Sequence, residues 1–149
     1  MPARISIEHA DASDMDAIRS LVKEADLSCL DVGQPNQVFL VARSSGAVVG
    51  CVGLERYGQA ALVRSLAVSP ARRGEGLSRA LFERTAAEAR RLKVVELYLL
   101  TTTAEALFAR WGFRRIPREQ VPEAVRGSAE FASLCPATAA CMVLALPLG

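Results

Sequence analysis

The sequence predicts an α/β fold with a mixed central sheet and flanking helices. Three observations predict it. Strand patterns alternate with helix patterns along the chain, and three successive apolar strand patterns are separated by short glycine turns. In addition, an apolar run enters a basic, glycine-containing turn that leads directly into a long helical pattern. At 149 residues, the chain is expected to form one domain over 1–149 with a substantial core.

Each element follows from a local pattern. Ile5 and Ile7 alternate with polar residues and predict a first strand, and Ser13 is predicted to cap a helix with Asp16 at its third position. The three strands of an antiparallel meander are predicted at 38–43, 47–55 and 60–69. A central strand buried on both faces is predicted at 94–100, and the last strands are predicted from 113 and at 138–146. Helices are predicted at 76–92, 104–110 and, more weakly, 123–133. One side of the helix at 76–92 carries Leu77, Leu81, Thr85, Ala89 and Leu92.

The turn between the strand at 60–69 and the long helix has the chemistry of a phosphate site. A helix N-terminus presents unpaired N–H groups and the positive end of its dipole, and this attracts anions. Gly74 and Gly76 allow close approach of a ligand because they carry no Cβ atom. Arg72, Arg73 and Arg79 add full positive charges that can pair with phosphate oxygens. No Gly-Lys-Ser/Thr follows, which excludes a Walker A loop.

This turn resembles the acetyl-CoA pyrophosphate loop of the GCN5-related N-acetyltransferase (GNAT) superfamily. The family pattern Gln/Arg-x-x-Gly-x-Gly/Ala maps onto Arg73, Gly76 and Ser78, and it departs only at Ser78. A second block, 97–113, resembles the family's Asn-x-x-Ala-x-x-Leu-Tyr segment followed by Gly-Phe, with Thr101 at the Asn position and Phe108 at the Tyr position. That tyrosine often protonates the departing thiolate, and phenylalanine cannot.

The resemblance implies the GNAT fold, whose mixed sheet is splayed, and acetyl-CoA as the cofactor. It assigns the pantetheine to the backbone of residues 66–68 and the pyrophosphate to residues 73–78. The residues expected at the cofactor are Leu66, Ala67, Val68, Arg73, Gly74, Glu75, Gly76, Leu77, Ser78, Arg79, Thr101 and Phe108.

A finer resemblance concerns the acceptor. The runs at 50–58, 62–68 and 130–136 are similar to the arsenic-resistance-associated N-acetyltransferases, and those at 100–102 and 121–122 to the acetyltransferase domain of N-acetylglutamate synthases. This implies acetyl transfer to a small amino-acid-like amine, which on the first resemblance contains arsenic. The alternatives are an ordinary amino acid such as glutamate as acceptor, or a catalytically silent acyl-CoA sensor.

Four polar residues on the meander are candidates for acid–base chemistry and acceptor binding. The attacking amine must lose a proton, and Glu55 is the predicted catalytic base. The alternative is a solvated charge paired with Arg56. Arg64 lies in an apolar run and requires an anion, either an acceptor carboxylate or Glu55. Ser65 and Tyr57 are expected to contact the acceptor, although Ser65 also suits a tight core position.

Composition limits the remaining classes. A net charge of +2 does not favour nucleic acid as a partner, and no apolar run is long enough to cross a membrane. The N-terminus lacks a signal-peptide pattern, so a cytoplasmic location is expected. The four cysteines, Cys29, Cys51, Cys135 and Cys141, have no metal-site spacing, and we expect no metal. Cys135 is the best candidate for contact with an arsenical, His9 is not expected to be catalytic, and a homodimer is an expectation without a residue pattern of its own.

Overall fold

The computed structural model describes residues 5–25, 27, 31–134 and 138–147. The strands are β1 (Ile5–His9), β2 (Gln37–Ser44), β3 (Ala47–Tyr57), β4 (Ala60–Val68), β5 (Glu96–Thr101), β6 (Arg114–Arg115) and β7 (Ala140–Ala145). The α-helices are α1 (Met15–Glu24), α2 (Leu77–Arg91), α3 (Glu105–Arg110) and α4 (Glu123–Arg126). Shorter turns are the 3-10 segments Ala12–Asp14, Pro70–Arg72 and Arg118–Gln120 and the π-helical turn Glu130–Leu134.

The strands form one seven-stranded sheet in the order β1-β2-β3-β4-β5-β7-β6. All described neighbours are antiparallel except β4 and β5, which are parallel, and α2 lies in the crossover connection that parallel strands require. The prediction of a mixed α/β sheet flanked by helices is therefore confirmed. None of the described helices is long and apolar enough to span a bilayer.

The start of α1 differs from the prediction. Asp11, not Ser13, is the capping residue: its carboxylate accepts a hydrogen bond from the Ser13 N–H at 2.9 Å, and Asp14 accepts one from the Asp11 N–H at 2.9 Å. This reciprocal pair opens a 3-10 turn before the α-helix begins. The Ser13 hydroxyl donates to Asp11 instead of capping a backbone group. The predicted helix at 123–133 is also interrupted, since α4 ends at Arg126.

One face of the sheet is covered by α2 and α3. The predicted inward face of α2 is confirmed, because Leu77, Leu81, Thr85 and Ala89 are buried. Of these, Leu77, Leu81 and Ala89 pack with side chains of alternate strand positions, such as Leu97 of β5, in the larger core cluster. This core holds α2, and therefore its N-terminus, in a fixed position against β3 and β4.

The other face carries two separate covers. The first is α1 with the chain that leads into β2, and it packs on Phe39, Val41 and Cys51. The second is the segment between β6 and β7, whose apolar residues pack on Tyr98 and Val143 of the sheet. Arg64 and Glu55 belong to neither apolar cluster and lie between them on β4 and β3. We call the boundary that Arg64 and Glu55 occupy between these two clusters the polar seam.

Candidate active site

The first feature of the site is an opening between β4 and β5. The parallel ladder pairs residues 60–62 of β4 with 96–98 of β5. In the described part of this ladder, no pair follows Leu62 and Tyr98, although β4 continues to Val68. The two strands therefore diverge. The backbone at 66–68, expected to hold pantetheine, keeps N–H and C=O groups on its β5 side that β5 does not satisfy.

A β-bulge lies beside this opening. The pairs Cys51–Ala67 and Gly53–Arg64 flank one extra residue in β4, and Ser65 there adopts a left-handed φ of 57°. The Cys51 thiol donates a hydrogen bond to the Ser65 carbonyl at 3.3 Å, across the bulge. Because of the extra residue, Arg64 and Ala67, three positions apart, face the same side of the sheet.

The glycine turn forms a pocket at the N-terminus of α2. Its volume is about 300 Å³, and its lining residues are Val68, Arg72, Arg73, Gly74, Gly76, Leu77, Ser78, Arg79, Leu107 and Trp111. Gly74 and Gly76 have φ values of 84° and 80°, which favour glycine, and a Cβ atom on either would meet nothing within 4 Å. The space in front of these backbones is therefore open to a ligand. The turn leads directly into a helix of 15 residues, whose N–H groups and dipole favour an anion there.

The arginines of this pocket have different partners. The Arg72 Nε donates to the Glu75 carboxylate at 3.0 Å, and the Arg79 Nε to Glu83 at 2.8 Å. The Arg73 Nε donates only to the Val68 carbonyl, at 3.4 Å, and Arg73 forms no ion pair with any described residue. Among these three cations, Arg73 is therefore the one whose charge is not already balanced. The open glycine backbones, the helix terminus and this cation fit a pyrophosphate.

The opposite wall of the pocket comes from α3. Leu107 and Trp111 line it, and they share one helix face because they lie four positions apart. Sequence reasoning missed both and selected Phe108, which is 8% exposed and packs its ring edge-on against Trp111 at 5.4 Å. The Thr101 hydroxyl accepts a hydrogen bond from the Ala104 N–H at 2.9 Å at the start of this segment. The resemblance at 97–113 was the signal that could have identified the α3 wall.

Glu55 and Arg64 lie together in the polar seam. Glu55 is only 3% exposed, and its Oε1 accepts a hydrogen bond from Arg64 Nη1 at 3.1 Å. The alternative of a solvated Glu55 paired with Arg56 is wrong. Arg56 points to the other face, as successive residues of a strand do, and its Nη2 donates to the Leu92 carbonyl at 2.9 Å. The structure favours the pairing of Arg64 with Glu55, one of its two predicted partners.

The Arg64 guanidinium has further partners that the sequence did not indicate. Asp31 accepts from both Nη1 and Nη2, the latter at 2.6 Å, and Glu130 lies 3.5 Å from Nη2. The Nε donates to the Ser65 hydroxyl at 3.1 Å. The Arg64 side chain is completely buried, and each of its nitrogens has a partner. One cation thus joins the sheet to both covers, since Asp31 belongs to the first and Glu130 to the second.

Two more side chains orient Glu55. The Gln37 amide donates to Glu55 Oε1 at 2.7 Å, and the Tyr57 hydroxyl donates to Glu55 Oε2. Burial, and then the neighbouring Glu55, raises the pKa of Tyr57 to about 12, so its hydroxyl keeps its proton at neutral pH. Gln37 reaches Glu55 because β2 and β3 pair Gln37 directly with it. The carboxylate is therefore fixed from three sides.

The thiols and the histidine do not form a further centre among the described residues. Cys51 and Cys141 are buried, and burial raises the pKa of Cys51 to about 12, which keeps it a neutral thiol. Cys29 and Cys135 lie outside the described residues. His9 is at the surface, with its Nε2 3.3 Å from Glu88. Within the described ranges, no three His, Cys, Asp or Glu side chains group as metal ligands.

The acetyltransferase (GNAT) domain family matches residues 35–115, which is more than half of the chain. The chain belongs to this family. The matched part contains the meander, the glycine turn and α3, so it includes both the opening between β4 and β5 and the α2 pocket. The chain is an acetyl-CoA-dependent N-acetyltransferase of the GNAT type.

Named relatives agree with this assignment. The IAA acetyltransferase of Azospirillum brasilense is 33% identical over 118 residues, which cover 66% of this chain and 77% of the relative. The amino-acid acetyltransferase of Mycobacterium tuberculosis is 32% identical over 120 residues, which cover 74% of this chain and 68% of that protein.

Solved structures share the fold over nearly the whole chain. The M. tuberculosis protein Rv2747, in complex with CoA, matches with a TM-score of 0.80 and 29% identity, covering 95% of this chain and 99% of that one. The N-acetylglutamate synthase of Neisseria gonorrhoeae, with coenzyme A and N-acetyl-glutamate, matches with a TM-score of 0.81 and 22% identity. That match covers 99% of this chain but only 36% of the longer synthase.

Proposed function

We propose that this N-acetyltransferase acetylates the amino group of a small amino-acid-like acceptor bound at the polar seam. The observation that carries the proposal is the adjacent anion and cation, Glu55 and Arg64, 3.1 Å apart in the polar seam between two apolar clusters. A zwitterionic amino acid places an ammonium beside a carboxylate, and this pair is its electrostatic complement. The amino-acid acetyltransferase among the relatives supports the same class of acceptor.

Acetyl-CoA supplies a thioester whose acetyl carbon forms the new amide bond while its carbon–sulfur bond breaks. The residues we propose to hold its pyrophosphate are Arg73, Gly74, Gly76, Leu77, Ser78 and Arg79. Glu75 holds Arg72 in the same turn and acts on the phosphates only through it. The free backbone groups at 66–68 would pair with pantetheine, and Leu107 and Trp111 would form the apolar wall beside it.

We propose Glu55 as the base that accepts the proton of the acceptor ammonium. A carboxylate can do this only if it is correctly placed, and Gln37, Tyr57 and Arg64 hold it from three sides. Tyr57 and Ser65, whose hydroxyls adjoin Glu55 and Arg64, would contact the acceptor. Phe108 carries no proton to donate, so the CoA thiolate leaves unassisted or takes its proton from water.

A thiol-release assay tests this proposal with matched acceptors: amino acids including glutamate, the amines formed by their decarboxylation, and an organoarsenical amino acid. The arsenical is included because of the predicted resemblance to the arsenic-resistance branch. We expect amino acids or their arsenical analogue to be acetylated and the matched amines to react poorly. Equal rates with the decarboxylated amines would overturn an amino-acid acceptor. Tight acetyl-CoA binding without thiol release from any amine would indicate a sensor.

The predicted homodimer forms a separate part of the proposal. Sedimentation velocity at several protein concentrations tests it, and a species of one chain's mass at every concentration would contradict it.

A further inference from the structure

One guanidinium in the polar seam faces three carboxylates. Arg64 touches Asp31, Glu55 and Glu130, so the cluster has more negative than positive charge. Glu55 is needed near the reacting amine in the proposed function, and its side chain is 4% exposed. Asp31 is the most exposed of the three, at 15%, compared with 11% for Glu130. It is the carboxylate that can exchange with solvent most easily.

Asp31 binds Arg64 in the way that a ligand carboxylate would. Its two oxygens accept from the two terminal nitrogens, the paired geometry in which arginine recognises free carboxylates. Glu55 places Oε1 on this cation while its Oε2 accepts from the Tyr57 hydroxyl, and the Glu130 Oε1 lies farther away, 3.5 Å from Nη2. Asp31 is not a residue of the sheet but lies in the chain between α1 and β2, and the Gln37 amide holds its carbonyl at 3.0 Å.

We infer that Asp31 is an internal substitute for the acceptor carboxylate. In the acceptor-free enzyme it occupies the paired N–H groups of Arg64, and the acceptor's carboxylate displaces it on binding. The exchange replaces one anion by another, so the buried guanidinium remains paired throughout. This inference rests on the proposed amino-acid-like acceptor. It makes Asp31 a specificity determinant, because an amine without a carboxylate cannot displace it.

Because Asp31 competes with the acceptor carboxylate for Arg64, it lowers the apparent affinity of the enzyme for the acceptor. The acceptor binds only the fraction of molecules in which Asp31 has left Arg64, so removing Asp31 must lower the apparent KM for the acceptor. We expect Asp31→Gly to lower the KM for a carboxylate-bearing acceptor by about three- to tenfold, as removal of a modest competing contact would. The KM for acetyl-CoA should not change in parallel, because its pocket lies at the N-terminus of α2. Glu130→Gln is the matched control, and its KM for the acceptor should not fall.

Binding of acetate gives a second readout that does not depend on turnover. Acetate should raise the melting temperature of Asp31→Gly by refilling the vacated position on Arg64, and it should do so far less for the wild type. If Asp31→Gly does not fold, Asp31→Asn removes the charge at similar volume and carries the same expectations.

An acceptor KM that is unchanged or higher in both variants would overturn the inference and make Asp31 a structural partner of Arg64. If no amino acid is acetylated by the wild type, the proposed function fails. The acetate measurement then still decides: selective stabilisation of the variant supports carboxylate exchange, and equal response of both proteins overturns it.

Discussion

Gly53 lies directly opposite Arg64 in the β3–β4 ladder, and a Cβ atom at Gly53 would stand 3.1 Å from the Arg64 Cγ. The same atom would lie 2.8 Å from the Phe39 ring, closer than side chains approach each other. The missing side chain of Gly53 is therefore what allows Arg64 to extend across β3 to Asp31 and Glu55. A glycine on one strand thus determines where the buried cation of the next strand lies.

Gly53→Ala should destabilise the fold and displace Arg64. Overpacking in a well-packed interior costs about 1–3 kcal/mol of the free energy of unfolding, and the acceptor kcat/KM should fall while acetyl-CoA affinity is kept. Chemical denaturation and steady-state kinetics measure the two effects. Gly127→Ala is the control, because Gly127 has an ordinary φ of −79° and its Cβ would have only van der Waals contacts at 3.6 Å. Equal behaviour of the two variants would contradict the packing argument.

Gly74→Ala should weaken acetyl-CoA binding measured by calorimetry. Gly74 and Gly46 have the same φ of 84°, and a Cβ on either meets nothing within 4 Å. Both alanine variants therefore carry a similar strain of about 1–2 kcal/mol, but only Gly74 lines the α2 pocket. We expect a higher Kd for acetyl-CoA in Gly74→Ala alone. A similar loss of affinity in Gly46→Ala would show that the effect is general destabilisation, and the pyrophosphate assignment would lose its support.

Glu55→Gln should lower kcat by roughly 10²–10⁴-fold without weakening acetyl-CoA binding, since the amide keeps the shape but cannot accept the ammonium proton. Glu130→Gln also removes a carboxylate from Arg64, which lies 3.5 Å away, and it should retain most of the activity. Rates across a pH series separate the two roles. If both variants lose activity equally, Glu55 acts only as a structural partner of Arg64.

Asp14→Asn should lower the free energy of unfolding at neutral pH and have little effect in acid. Hydrogen bonds from Arg43, at 2.7 and 2.8 Å, hold the pKa of Asp14 below its ordinary value of 3.8. Because the folded-state pKa is lowered, the stabilisation by Asp14 is complete above the ordinary pKa of 3.8. It is lost as the pH falls through the lower folded-state pKa. Denaturation at a series of pH values should show the difference between variant and wild type shrinking below about pH 4. Asp16→Asn, at a fully exposed position of the same helix, should show no such trend.

Much of the fold was predictable because its signals are local. The strand patterns, the glycine turns and the inward face of α2 depend on periodicity over a few residues, and the structure confirms them. Part of the α2 pocket was also predictable, because Arg73, Gly74 and Gly76 are close in sequence and lie at the N-terminus of one helix. The cap of α1 was assigned to the wrong residue because Asp11 and Ser13 carry equally suitable oxygens, and only backbone geometry selects between them.

The partners of Arg64 were decided by tertiary structure alone. The sequence by itself determined that a charge in an apolar strand needs an anion, and it offered Glu55 as one. Asp31 and Glu130 lie 33 and 66 positions away in the chain, on two different covers, and no local pattern connects them with β4. Leu107 and Trp111 reach the α2 pocket by the same kind of long-range packing. Local propensity acts between neighbours in sequence, whereas a buried charge is balanced by whatever the folded chain brings within a few ångströms.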